Sequence, residues 1–283
     1  MIESTLDVGG AVVFWTAAEF TNRDKLREGL EPLGLDPFVP DPRPHASVLK
    51  DALEETLGGS RVRVRPLADR DGFTVVREDR GRTANAYVTE LIARVRNPDL
   101  PTIEYDPDDA RAVRVNEAFR RHAGRVPGVQ LSACLVKIVE FLGGTRLRPT
   151  GAVYWIPGPK LDEWAVAAKA VEAASEGKPS AVYLLRHRLD ADAVRAIRDA
   201  VVAEVQAATA RISEDVAAGE LGSRALETRQ QQAHDLREKV LLYEHLLSVG
   251  LADLHRAVDV ADQAAATASL LLAARTPSPL LRV

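Results

Sequence analysis

Histidine, cysteine, serine and arginine are the side chains with which this chain could do chemistry. The six histidines stand at 45, 122, 187, 234, 245 and 255. A zinc site needs ligands clustered within a few residues, or an HExxH pair on one helix face. No histidine here has a second His or a Cys at i+2 to i+4, and HExxH does not occur. His245 and His255 lie ten residues apart and share a helix face only approximately. No metal ligand set is expected. Cys134, the one cysteine, sits in the run Leu131 to Leu142, the most apolar of the chain. Burial there would raise its thiol pKa, whereas a nucleophile needs it lowered beside a base. Ser132 shares that run, and no GxSxG elbow exists. Neither GxxxxGK[ST] nor GxGxxG is present. No catalytic residue and no cofactor is assigned, and the reading leans away from an enzyme.

Arginine is the more suggestive residue. In Gly143-Gly144-Thr145-Arg146-Leu147-Arg148-Pro149-Thr150-Gly151, free N–H groups with Arg146 and Arg148 could hold an anion. The plainer reading is a helix C-cap turning into a strand. Arg61, Arg63 and Arg65 alternate with Val62 and Val64, so a strand would set three guanidinium groups on one face. Arg77, Arg94 and Arg96 could join them from neighbouring strands and follow a phosphate backbone. Glu78, Asp79, Glu90 and Glu104 are placed to neutralise that face instead. An acidic protein surface is a further partner for it. Only Phe73 and Tyr87 could stack bases, and no RNP-like motif accompanies them. The carboxylate pairs Asp108-Asp109 and Asp162-Glu163 follow prolines at helix starts, where they suit the helix dipole.

The elements that would carry these residues follow from periodicity. Residues 11–16 are β-branched and aromatic, a buried strand. Helices follow over about 22–34 and 45–57, separated by Pro37, Pro40, Pro42 and Pro44. Strands at 61–65, 73–76, 86–96 and 102–105, broken by polar and Gly turns, form an antiparallel meander. Helices at about 108–124 and 128–142, a strand at 152–156, a helix at 161–174 and a strand at 181–185 complete a body over residues 1–189.

Beyond Leu189 the pattern is helical throughout. Val194, Ile197, Val201, Val205, Ala208, Ile212 and Val216 form a heptad-like seam. After Gly219–Gly222 a second seam runs Ala233, Leu236, Val240, Tyr243, Leu247, Gly250, Leu254, Ala257, Ala261. Residues 190–275 therefore predict a long antiparallel, coiled-coil-like helical hairpin, and 276–283 a Pro-containing tail. At 1.5 Å per residue the arms measure about 43 and 78 Å, so the second has a surplus. That surplus must fold back on the body, break at Gly250, or pack against another subunit through Leu247, Leu251, Leu254, Val258, Leu270 and Leu271.

Composition limits what this α+β fold can do. The hydrophobic fraction of 46% supports a core, built mainly of aliphatics since aromatics are 5%. The net charge of −4 argues against a general polyanion binder, although residues 61–150 hold 17 basic and 12 acidic groups. A lone cysteine fits a reducing, cytoplasmic compartment. No uninterrupted apolar run approaches the length of a bilayer span, so no membrane association is expected. Two functions remain: a non-enzymatic assembly or adaptor protein that self-associates through its C-terminal helices, or a nucleic-acid-associated protein using the basic segment 61–150.

Overall fold

The computed structural model describes residues 9–69, 72–80, 85–96, 101–148 and 151–275. Strand β1 (Gly10–Thr16) is followed by the short β2 (Phe20–Asn22) and by helix α1 (Arg23–Leu30). Asn22 starts α1, its side-chain oxygen accepting from the Lys25 N–H at 3.0 Å. The proline-dense stretch supports only two 3-10 turns before α2 (His45–Leu57). The meander consists of β3 (Val62–Pro66), β4 (Gly72–Arg80), β5 (Asn85–Arg96) and β6 (Thr102–Asp106). Next come α3 (Ala112–Ala123), β7 (Arg125–Pro127), α4 (Gly128–Phe141), β8 (Thr145–Arg146) and β9 (Tyr154–Pro157). The chain ends in α5 (Leu161–Ala173), β10 (Ser175–Glu176), β11 (Ala181–His187), α6 (Ala191–Ala217), α7 (Ser223–Leu247) and α8 (Ala252–Arg275). The class is α+β, and every strand pairing among the described residues is antiparallel.

These elements form two compact units, and the division does not fall at residue 189. Of the described residues, those within 17–134 and 173–179 form one, and those within 9–16, 135–172 and 180–275 the other. The cause is strand pairing: β1 lies between β11 and β9, tying the start of the chain to segments far along it. Helices α6–α8 then pack on that same sheet, so 190–275 is not a separate domain.

In the first unit the sheet has the order β3-β4-β5-β6. Its inner face carries Val64, Val75, Leu91 and Ala93, which meet Leu49 and Leu53 of α2 and Val115 and Phe119 of α3. Alternation does the rest, sending Arg63 and Arg65 outward. A second, small sheet has the order β10-β2-β7.

In the second unit the sheet has the order β11-β1-β9-β8. On one face Trp15 stacks on Tyr154 at 5.3 Å and meets Trp164 of α5 at 6.1 Å. On the other face Val12 and Trp155 pack into a core with Val201, Val205, Val240 and Tyr243 of the C-terminal helices. Those helices form a three-membered bundle in which α6 and α7 are one antiparallel pair and α7 and α8 the next. Arg229 pairs with Asp215 at 2.7 Å and Lys239 with Glu204 at 2.6 Å, which sets α7 antiparallel to α6. Arg237 pairs with Asp259 at 2.8 Å and Glu244 with His255 at 2.8 Å, which sets α8 antiparallel to α7. The long second arm thus breaks between Leu247 and Ala252, where Ser248 adopts φ 51°. Breakage at Gly250 was one of three ways to place the surplus, and it is the one the chain takes. By length and composition α8 also passes for a membrane span over Ala252–Ala274. In this fold, however, Leu254, Val258, Ala261 and Ala265 are buried in the bundle.

Candidate functional site

Folding back consumes most of the residues expected to bind a second subunit. Leu247, Leu251, Leu254 and Val258 are at most 6% exposed and pack against α6, α7 and the sheet of their own chain. They stabilise the protomer and are not an outer seam. Leu270 and Leu271 differ, at 73% and 61% exposed.

The reversal also creates something the linear pattern did not suggest. Helices α6 and α8 run parallel, and an open groove lies between them. Its first stretch, about 540 Å³, is lined by Thr209, Ala210 and Ser213 of α6 and by Arg256, Ala257 and Val260 of α8. The next, about 640 Å³, runs from Val216 of α6 past Val260, Ala264, Thr267 and Ala268 to Leu271 of α8. Val260 lines both stretches, so they are parts of one channel. The groove exists because the facing positions are small; alanine, serine and threonine leave the notch between two helix cylinders unfilled. Val260 stands in it 65% exposed. Ala257 already stands in the second seam and Leu271 among the expected subunit contacts, whereas Val260, Ala264 and Thr267 are not singled out by the sequence. Their spacings of 3, 4, 3 and 4 are nonetheless a second seam, parallel to the buried one at Leu251, Leu254, Val258, Ala261 and Ala265.

The corner that aims α8 is polar. One Glu244 carboxylate oxygen accepts the Leu251 N–H at 2.6 Å, and the other lies 2.8 Å from His255 Nε2. The hydrogen bond with His255, then that from Leu251, hold the Glu244 carboxyl below its ordinary value. Five residues earlier on α7, Lys239 donates to Glu204 and to the Gly144 carbonyl, while Thr145 donates to Glu204 at 2.6 Å. Desolvation, reinforced by the Glu204 carboxylate, pushes Glu140 up.

That arrangement decides the glycine-rich segment. The Gly143 N–H donates to Glu140 O and the Gly144 N–H to Val139 O, with Gly143 at φ 72°. This is a Schellman cap closing α4, and the N–H groups an anion would need are occupied. Arg146 is engaged too, donating to the Tyr154 hydroxyl at 2.9 Å and lying over its ring. Arg148 stays exposed, while Pro149 and Thr150 fall outside the described residues.

Arg63 and Arg65 stand on the outward face of the edge strand β3, as alternation required, while Arg61 lies in the turn just before it. Arg65 lies over the Tyr87 ring at 4.8 Å, and Arg61 and Arg63 form no ion pair among the described residues. Their expected neighbours are neutralised. Arg94 pairs with Asp69, Arg96 with Glu104 and Arg77 with Glu90.

Elsewhere the titratable groups form pairs that hold elements together. His122, buried on α3, meets Glu55 of α2 at 2.8 Å. Burial pushes Glu55 up, but hydrogen bonds from Arg121 and His122 outweigh it and hold the carboxyl low. Asp109, gripped by the Arg111 guanidinium, falls to about 2. Cys134 is buried. Among the described residues no three His, Cys, Asp or Glu side chains are grouped to hold a metal.

Comparison with curated proteins and with solved structures returned no match. The model of a family of unknown function, DUF6744, matches residues 7–276, and the chain belongs to that family.

Proposed function

We propose that this chain is a non-enzymatic assembly component that self-associates through the α6/α8 face of its C-terminal bundle. One observation carries the reading: after α8 has folded back, an apolar groove with Val260 and Leu271 standing exposed is still uncovered. An apolar channel of this length, rimmed by Asp253, Arg256 and Asp259, is characteristic of an interface. A bundle of three helices also offers the cleft into which a fourth helix fits.

Light scattering tests this. The full chain is expected at an integral multiple of 30.7 kDa, and Val260→Glu with Leu271→Glu at the monomer mass. Both changes lie on the surface of the protomer, so the variant should keep the parent's helicity and lose only the concentration-dependent part of its melting temperature. A parent monomeric at tens of micromolar would overturn the reading. Truncation after Gly250 would strip Leu254 and Val258 from the protomer's own core and destabilise the protomer itself.

The second reading is nucleic-acid association through β3. It is favoured by one feature, Arg61 and Arg63, which form no ion pair among the described residues, beside an Arg65–Tyr87 stack with Tyr87 53% exposed.

A further inference from the structure

The outward seam of α8 is complementary to itself in one orientation. About Ala264 as centre, Ala257 and Leu271 stand seven residues to either side, and Val260 and Ala268 four. All five line the groove. If a second α8 lies antiparallel with its Ala264 against the first, Leu271 faces Ala257 of the other copy and Val260 faces Ala268. Each large side chain then meets a small one, four times over by symmetry, as interlocking helices require. A parallel docking would instead stack Leu271 on Leu271 and leave Ala257 against Ala257.

We infer that the occupant of the α6/α8 groove is the α8 helix of a second copy of this chain, docked antiparallel about a two-fold axis through Ala264. The seam from Ala257 to Leu271 is about 21 Å long. Small residues at its centre let the two helices approach closely, and Ala210 and Ser213 of α6 wall each partner helix. The inference rests on the self-association proposed above and adds its partner, orientation and register.

Cysteine crosslinking in the full chain tests it, with Cys134 left in its buried position. Ala264→Cys lies on the axis and is expected to form an interchain disulfide under mild oxidation. Val260→Cys should not, since antiparallel docking separates the two copies of position 260 by eight residues, about 12 Å. A knob exchange gives a second readout. Leu271→Ala should weaken dimerisation about tenfold or more, and adding Ala257→Leu in the same chain should restore it, because the pair meets only across the axis. Disulfides at 260 in preference to 264, or no rescue by the exchange, would overturn the antiparallel register while leaving a multimer. A parent chain that is monomeric by light scattering would overturn the self-association reading itself.

Discussion

At the scale of single residues, the chain's charged groups are spent on fixing corners. Glu244 is the clearest case, because it holds the backbone N–H that begins α8 and the His255 imidazole one turn on. Its carboxyl sits below the ordinary 4.5, so it contributes stability that is complete above that pH and lost as pH falls through the lowered value. Wild-type melting should therefore fall more steeply below about pH 4.5 than that of Glu244→Gln, which has no charge there to lose. Thermal unfolding followed by circular dichroism across that range reads the difference; parallel curves would show that the corner is held by packing alone. Gly144 makes a steric argument of the same kind. A Cβ there would stand 2.5 Å from Val139 Cγ1, 2.8 Å from the Trp155 carbonyl oxygen and 2.9 Å from that of Val139. Gly144→Ala should cost about 1–3 kcal/mol in urea unfolding, because two of the three obstacles are backbone.

At the scale of elements, local pattern and long-range pairing differ in how far a sequence reveals them. The meander β3–β6, the capped α1, the apolar α4 and the strand β11 follow from periodicity, Gly turns and caps at their expected places. The two- and three-residue strands β2, β7, β8 and β10 carry no period at all; they exist because Thr21 pairs with Val126 and Ser175, and Thr145 with Trp155. The break after Leu247 was hidden for a different reason. Leu226, Ala233, Val240, Leu247, Leu254 and Ala261 recur every seven residues straight across it, and all are buried. A single seam is equally compatible with one long rod or with two helices folded on one another, and only tertiary packing chooses. The groove was hidden in turn, since it exists only once α8 lies beside α6. The seam at Leu254 and Val258 now does what α6 and α7 alone do for each other. Val258→Ala, at 0% exposure, should cost about 1–3 kcal/mol of unfolding free energy without altering the multimer's mass, whereas Val260→Glu should alter that mass and cost only the concentration-dependent stability that association adds. That contrast between neighbours two positions apart separates the inner seam from the outer one.

At the scale of the whole molecule, two surfaces of opposite character lie in different compact units, the apolar α6/α8 groove in one and the arginine row of β3 in the other. A chain with net charge −4 gains little from general attraction to polyanions, so any such binding must come from a local row. The row is short. Arg94, Arg96 and Arg77 are matched by Asp69, Glu104 and Glu90, which leaves Arg61, Arg63 and the Tyr87-stacked Arg65 to act. Three phosphate contacts imply a log–log salt slope of only about −2 on single strands, and hence weak retention confined to low salt. The triple change Arg61→Ala, Arg63→Ala and Arg65→Ala should remove that retention while subunit mass stays that of the parent, because the row and the groove belong to separate units. Oligonucleotide binding by fluorescence anisotropy at two salt concentrations, run beside light scattering, measures both at once. If retention survives the triple change, the arginine row is a solvated edge that keeps β3 from pairing with another strand, a role charged side chains commonly fill on exposed sheet edges. If retention and subunit mass are lost together, the two surfaces are coupled and the row acts within the assembled protein.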